Sequence, residues 1–115
     1  MASAPMREPT YFVLASLLQG PLHGYAIMKR AEELSRGRVR LATGTLYAAL
    51  DRLTAEGYVR LVSDEIVNGR VRRSYGLTDP GAAALRAEAV RMAEAAQLVT
   101  GSARPARAGR NARTA

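Results

Sequence analysis

The hydrophobic periods of this 115-residue chain predict a mainly α fold with one small β-hairpin. Three observations set that class. Leu46, Ala49, Leu50 and Leu53 recur at helical spacing, leaving Thr45, Tyr47, Ala48, Asp51 and Arg52 on the outward side. Asn68-Gly69 separates two runs rich in β-branched residues, a strong short-range hairpin signal. Ala82, Leu85, Ala89, Met92, Ala96 and Val99 follow at alternating intervals of three and four, which is a heptad seam.

Each element has its own signals. Residues 1–8 are short, polar and include Pro5, so they are expected to be disordered. Pro9 suits the first turn of a helix whose Tyr11, Phe12, Leu14, Ala15, Leu17 and Leu18 form a broad apolar surface ending at Gly20-Pro21. So wide a surface implies a helix central to the domain or shared with another subunit. The next helix, 23–35, turns Tyr25, Ile27, Met28, Ala31 and Leu34 inward and Lys29, Arg30, Glu32 and Glu33 outward, with Gly37 as a left-handed stop. Residues 38–42 cross to a third helix, with Thr43 as N-cap and Gly57 at its end.

Strands at 58–67 and 70–77 flank a type I′ turn, which pairs Val67 with Arg70, Glu65 with Arg72 and Asp64 with Arg73. Thr78 caps a last helix that has Asp79 and Pro80 in its first turn. The small residues of its seam would let two such helices approach closely. Residues 101–115 are low-complexity Ala/Arg/Gly and are expected to be disordered. The expected organisation is therefore 1–8 as a disordered lead, 9–78 as one small domain, 79–100 as a dimerisation helix and 101–115 as an Arg-rich tail.

Composition narrows the function classes. The formal charge is +7, but the last fifteen residues carry four arginines and no acid, which leaves +3 for residues 1–100. Bulk charge is thus a weak argument for nucleic acid, and its distribution has to carry the case. With no Cys and His23 alone, disulfide scaffolds and Cys/His zinc sites are excluded, and no cofactor is expected. Catalysis has no support either: there is no Cys nucleophile, no phosphate-cradling Gly loop and no metal cluster. No apolar run approaches a membrane span, so a cytoplasmic protein without a membrane partner is expected.

Helix, turn, helix, then hairpin is the order of a winged helix-turn-helix, in which the second helix of the motif sets its first residues against base edges in the major groove of double-stranded DNA. On that reading Thr43, Gly44, Thr45 and Tyr47 are candidate contacts, and Arg52, further along, is a phosphate candidate. The hairpin offers Asn68, Arg70, Arg72 and Arg73. Arg70 has no acidic partner in the expected register, whereas Arg72 and Arg73 are divided between DNA and the facing Glu65 and Asp64. A homodimer built from the first and last helices, through Tyr11, Leu14, Leu18, Leu85, Ala89, Met92, Ala96 and Val99, would set two reading helices about 34 Å apart on an inverted repeat. The alternative is a winged-helix module for protein interaction that does not read DNA, consistent with the acids on the hairpin.

Three motifs carry a resemblance to a known family. They are the run from Leu17 through Gln19-Gly20-Pro21 to His23-Gly24-Tyr25, then Gly44-Thr45-Leu46-Tyr47 with Leu50 and Leu53, then Tyr75-Gly76-Leu77-Thr78-Asp79-Pro80-Gly81. In this order, over residues 9–90, they resemble the PadR family of transcriptional regulators. The resemblance implies a dimeric winged-helix DNA-binding protein, usually a repressor, of the subgroup with one dimerisation helix. It also implies that Tyr25 and Lys29 hold phosphates, against the plainer reading in which Tyr25 packs inward and Lys29 is solvated. A small-molecule effector follows only by analogy, with Tyr11, Phe12 and Met92 marking where a pocket between dimer helices would lie. The family often has Ser-Pro before its Gly-Thr-Leu-Tyr and Pro after it; Ala42-Thr43 and Ala48 stand there instead, which bears on base preference at that end of the helix.

Overall fold

The computed structural model describes residues 5–101, with elements in the order α1 (Glu8–Ser16), β1 (Leu22–His23), α2 (Gly24–Leu34), α3 (Thr43–Ala55), β2 (Val59–Val67), β3 (Arg70–Leu77) and α4 (Asp79–Thr100). The strands form one antiparallel sheet in the order β1-β3-β2. Two compact units divide the chain, one running to Leu85 and one starting at Arg86.

The first unit closes around Val13, Leu14, Leu17, Ile27, Leu46, Leu50, Leu53, Val59, Tyr75 and Leu85. The stripe foreseen on the third helix is its centre: Leu46, Leu50 and Leu53 are all fully buried. Leu14 and Leu85 belong to this core, at 0 % and 5 % exposure, so they are not available to a dimer interface as expected; their apolar surface is already covered by their own domain.

Helix ends explain most of the differences from expectation. α1 begins at Glu8, with Pro9 in its first turn, and Met6 packs against the core. Disorder therefore does not extend over residues 5–8; the carboxylate of Glu8 accepts two bonds from Arg38, at 3.0 and 3.2 Å. Residues 1–4 lie outside the described chain. α2 starts one residue later than expected because His23 is in β1 and caps the helix, its Nδ1 accepting from the Ala26 amide at 3.4 Å. At the other end of α2 the Ser35 hydroxyl donates to the Glu32 carbonyl and accepts from the Val39 amide, which satisfies a buried polar group.

α3 ends as expected at Gly57. The Gly57 amide bonds the Thr54 carbonyl and the Tyr58 amide bonds that of Leu53, the double bond pattern of a Schellman stop. Asn68 and Gly69 have φ of 52° and 75°, as a type I′ turn requires, and β2 and β3 pair in the foreseen register, Val67 with Arg70, Glu65 with Arg72 and Asp64 with Arg73. Thr78 caps α4 by accepting from the Gly81 amide at 3.0 Å, while its own hydroxyl donates to the Gly57 carbonyl at 2.6 Å. A Cβ on Gly81 would lie 2.0 Å from the Tyr58 carbonyl oxygen, so only glycine lets α4 leave the hairpin at this point.

The second unit is described by itself. Its helical residues form the distal part of α4, where Val90, Met92, Leu98 and Val99 are exposed, the last two at 87 %. Gly101 closes the helix with a bond to the Gln97 carbonyl. The Arg-rich tail, from residue 102 on, lies outside the described residues. No described helix is long and apolar enough to cross a membrane.

Candidate nucleic-acid interface

The start of α3 is set by Ala42. Its backbone is extended, its carbonyl accepts from the Leu46 amide at 2.9 Å, and no side chain caps the helix. Thr43 is consequently the first helical residue and not the N-cap, a correction of one position. The Ala42 carbonyl takes the first helical bond, so the Thr43 hydroxyl sits in the first turn itself. Thr43, Gly44 and Thr45 are all exposed, and the helix presents amide donors that no side chain occupies.

Tyr47, half-buried, is placed by a close approach to α2. A Cβ at Gly24 would lie 2.2 Å from the Tyr47 hydroxyl oxygen, so the ring reaches the first residue of α2 only because that residue is glycine. Tyr47 also packs on the core. It thus ties the first turns of α3 to the start of α2, a positioning role that the spacing of apolar residues does not reveal.

Beside Tyr47 lies a cleft of about 490 Å³, with His23, Gly24 and Tyr25 on one side and Asn68, Arg70, Arg72 and Arg73 on the hairpin side. Arg70 and Arg72 are exposed and, among the described residues, take part in no ion pair. Arg72 therefore does not pair with Glu65 despite facing it in register. Arg73 stands 3.7 Å from the Asp64 carboxylate and is partly engaged. The adjacent Tyr75 is buried in the core, and this burial raises its hydroxyl pKa above the ordinary value, with Asp51 and Tyr47 adding to the rise and Arg73 opposing it.

Tyr25 does not pack inward. It is 64 % exposed, with the Lys29 ammonium 5.8 Å from its ring centre, because the buried face of α2 is Gly24, Ile27 and Ala31, and a residue two from Ile27 cannot share it. Leu34, also expected inward, is the last residue of α2 and 37 % exposed. The structure does not bring Arg52 to the cleft. Its guanidinium donates to the Thr10 hydroxyl at 3.1 Å and pairs with Glu56 at 3.6 Å, which turns it toward α1.

Of the other dimer candidates, Tyr11 is half-buried and edge-to-face with Phe12, Leu18 is 59 % exposed, Ala89 is half-buried, and Met92, Ala96 and Val99 are exposed. Leu98 is as exposed as Val99 but lies off the seam and was not foreseen. The groove of about 440 Å³ near Tyr11 and Phe12 is lined by α1, the turn after it and α2, including Leu18, Arg30 and Leu34.

Comparison with known proteins places this architecture. The family described as the transcriptional regulator PadR-like family matches residues 13–87. A transcriptional regulator of Mycobacterium tuberculosis is 45 % identical over 71 residues, 61 % of this chain and 64 % of its own. An uncharacterized 37.1 kDa protein in a Streptomyces fradiae transposon is 43 % identical over 93 residues, 81 % of this chain and 25 % of its own. The chain thus spans a quarter of one curated relative and just under two thirds of the other.

Among solved structures, a PadR family transcription regulator from Clostridium difficile R20291 is similar with a TM-score of 0.68 at 23 % identity, covering 83 % of this chain and 97 % of that one. Bacillus subtilis PadR, in complex with operator DNA, is similar with a TM-score of 0.60 at 28 % identity, covering 70 % of this chain and 45 % of that one.

Proposed function

Because this chain belongs to the PadR-like family of transcriptional regulators, we propose that it is a sequence-specific DNA-binding regulator that acts as a homodimer and represses from an inverted repeat. The observation that carries this is the exposed, uncapped first turn of α3 beside a cleft whose hairpin side holds Arg70 and Arg72 free of acidic partners among the described residues. In the major groove, Thr43 and Thr45 present hydroxyls and methyls to base edges, and the amides near Gly44 suit a phosphate. Arg70, Arg72 and Asn68 reach the neighbouring backbone or minor groove, and Tyr25, in the first turn of α2, holds a phosphate with Lys29, one turn further along the helix. Tyr47 sets the angle of the reading helix from behind. The solved complex of the Bacillus subtilis relative with operator DNA supports this reading.

Dimerisation through distal α4 is favoured by the apolar side chains it leaves in water, Met92 and Val99 of the seam with Leu98 beside them. Two protomers would then present reading helices about one DNA turn apart, ~34 Å, and occupancy of such a site near a promoter excludes polymerase. Release by a small molecule would act through the groove at Tyr11 and Phe12, which borders the exposed Leu18.

The test is a fluorescence-anisotropy titration against the DNA upstream of the protein's own gene and a scrambled duplex, at about 0.15 M salt. A preference of ~10³-fold or more is expected of a specific reader. If neither that duplex nor any fragment in a genome-wide selection is preferred, the protein-interaction module replaces this reading.

A further inference from the structure

The positive charge of the folded chain is not concentrated on the hairpin. Residues 64–73 hold three arginines against two acids, a surplus of one. Residues 29–40 hold Lys29, Arg30, Arg36, Arg38 and Arg40 against Glu32 and Glu33, a surplus of three. That equals the net charge of all residues 1–100, so the rest of that stretch sums to neutrality.

These residues run from the second half of α2 into the loop before α3, and they are not equally engaged. Arg38 is held by both carboxylate oxygens of Glu8. Arg30 pairs with Glu33 at 3.5 Å. Lys29 and Arg36 are in no ion pair among the described residues. Arg40 stands 3.7 Å from Glu32, with three quarters of its side chain exposed, a pair that a stronger anion readily exchanges.

Lys29, Arg36 and Arg40 line one hollow of about 580 Å³ together with Tyr25, Glu32 and Glu33, three cations against two acids that are themselves within pairing distance of Arg40 and Arg30. Tyr25 also lines the hairpin cleft, so it borders both hollows. Arg40 is two residues before Ala42, at the uncapped start of α3. Arg40, whose Nε also donates to the Gly37 carbonyl at 3.2 Å, therefore links the hollow that holds the unpaired Lys29 and Arg36 to the helix end with unpaired amides, and both features attract phosphate.

We propose that Arg36 and Arg40, on the α2–α3 loop, extend the phosphate contact of Tyr25 and Lys29 into a clamp on the backbone of double-stranded DNA. The clamp rests on the DNA-binding reading above. It fixes the position of the reading helix on the duplex without reading bases, since guanidinium and ammonium contacts to phosphate carry no sequence information.

The test uses the full chain and the same two duplexes, titrated between about 50 and 200 mM salt. The double variant Arg36→Gln/Arg40→Gln is compared with wild type and with Arg36→Lys/Arg40→Lys. Each lost phosphate contact lowers the slope of log affinity against log salt by about 0.9. The Gln variant should therefore lose about 1.8 from the slope, and its deficit relative to wild type should shrink about 12-fold across that salt range. The loss should be the same on both duplexes, and the Lys variant should recover most of the slope. An unchanged slope in a Gln variant that melts like wild type overturns the clamp while DNA binding stands. A loss confined to the preferred duplex overturns it too, because it would make these residues base readers. Absence of binding by the wild type on every duplex removes the DNA reading and the clamp together, and is seen before any variant is made.

Discussion

Leu50 and Val99 are both apolar residues on amphipathic helices of one chain, and they meet opposite surroundings: Leu50 is 0 % exposed and Val99 is 87 % exposed. Up to Leu85 the central stripe of α3 finds its cover within the chain, on α1, α2, the hairpin and the first turns of α4, while Leu18 and the facing hairpin pair Ile66 and Val71 stay exposed. Beyond Arg86 the seam residues Met92 and Val99 are left in water. Periodicity states which face of a helix is apolar. It does not state whether that face is covered by the same chain or by another copy. The difference divides the molecule into a part whose apolar stripe the chain itself covers and a part whose apolar stripe is left in water.

The largest effects should come from the closed part. Leu50→Ala removes a fully buried side chain from the centre of the core and should cost about 2–5 kcal/mol in urea unfolding, enough to unfold much of a small domain. Val99→Ala, at an equally apolar but exposed position, should leave the unfolding of the first unit unchanged within about 0.5 kcal/mol. Equal costs at the two positions would break the distinction.

The open part should respond in association. Met92→Arg sets a charge in the middle of the seam and should weaken self-association at least ~30-fold, the consequence of losing a contact worth about 2 kcal/mol. Sedimentation should show monomer for the variant and dimer for the wild type, and the melting temperature of the variant should not rise with protein concentration. A variant that stays dimeric would move the interface away from distal α4.

How much of this was legible in the sequence follows the same division. The core stripe of α3, the turn at Asn68-Gly69, the pairing register and the Thr78 cap are local rules, and local rules are written in neighbouring residues. Three features were not. The short β1 strand consists of two residues whose pairing with β3 has no periodicity to announce it. The bulge between Leu61 and Ser63 is marked by no Gly or Pro. The approach of Tyr47 to Gly24 joins positions far apart in the chain, and its only trace is a glycine at the head of a helix, where one is conformationally unnecessary. In the candidate site the hairpin arginines were legible from the register. The surplus on the α2–α3 loop is countable in the sequence, but only the fold brings Lys29, Arg36 and Arg40 around one hollow.

Gly24→Ala sharpens the comparison inside the closed part, between what holds the fold and what aims the site. The new methyl meets the end of the Tyr47 side chain, at 2.2 Å from its oxygen, and not a backbone atom. The ring can swing away, so the stability cost should be about 1 kcal/mol. Affinity for the preferred duplex should fall more than affinity for the scrambled one, since α3 loses its brace. Gly24→Ala/Tyr47→Phe should recover little, because the ring itself still collides, whereas Gly24→Ala/Tyr47→Leu should restore stability without restoring preference.

The smallest effect tests the wall between core and cleft. Burial holds the Tyr75 hydroxyl pKa above its ordinary value near 10, against the opposing pull of Arg73. For an acid whose folded pKa is raised, the folded state keeps the proton longer than the unfolded state, so unfolding releases it once the pH exceeds the ordinary value. The stability associated with neutral Tyr75 is fully present below pH ~10 and declines as the pH rises through the folded value. Tyr75→Phe should change stability at pH 7 by no more than about 1 kcal/mol and should flatten the decline above pH ~10. The same substitution should leave sedimentation of the dimer unchanged at neutral pH, because Tyr75 belongs to the part of the molecule that needs no partner to be buried. A shift in association instead would mean that the two parts are coupled through the hairpin, and that closing the core and pairing the helices are one event.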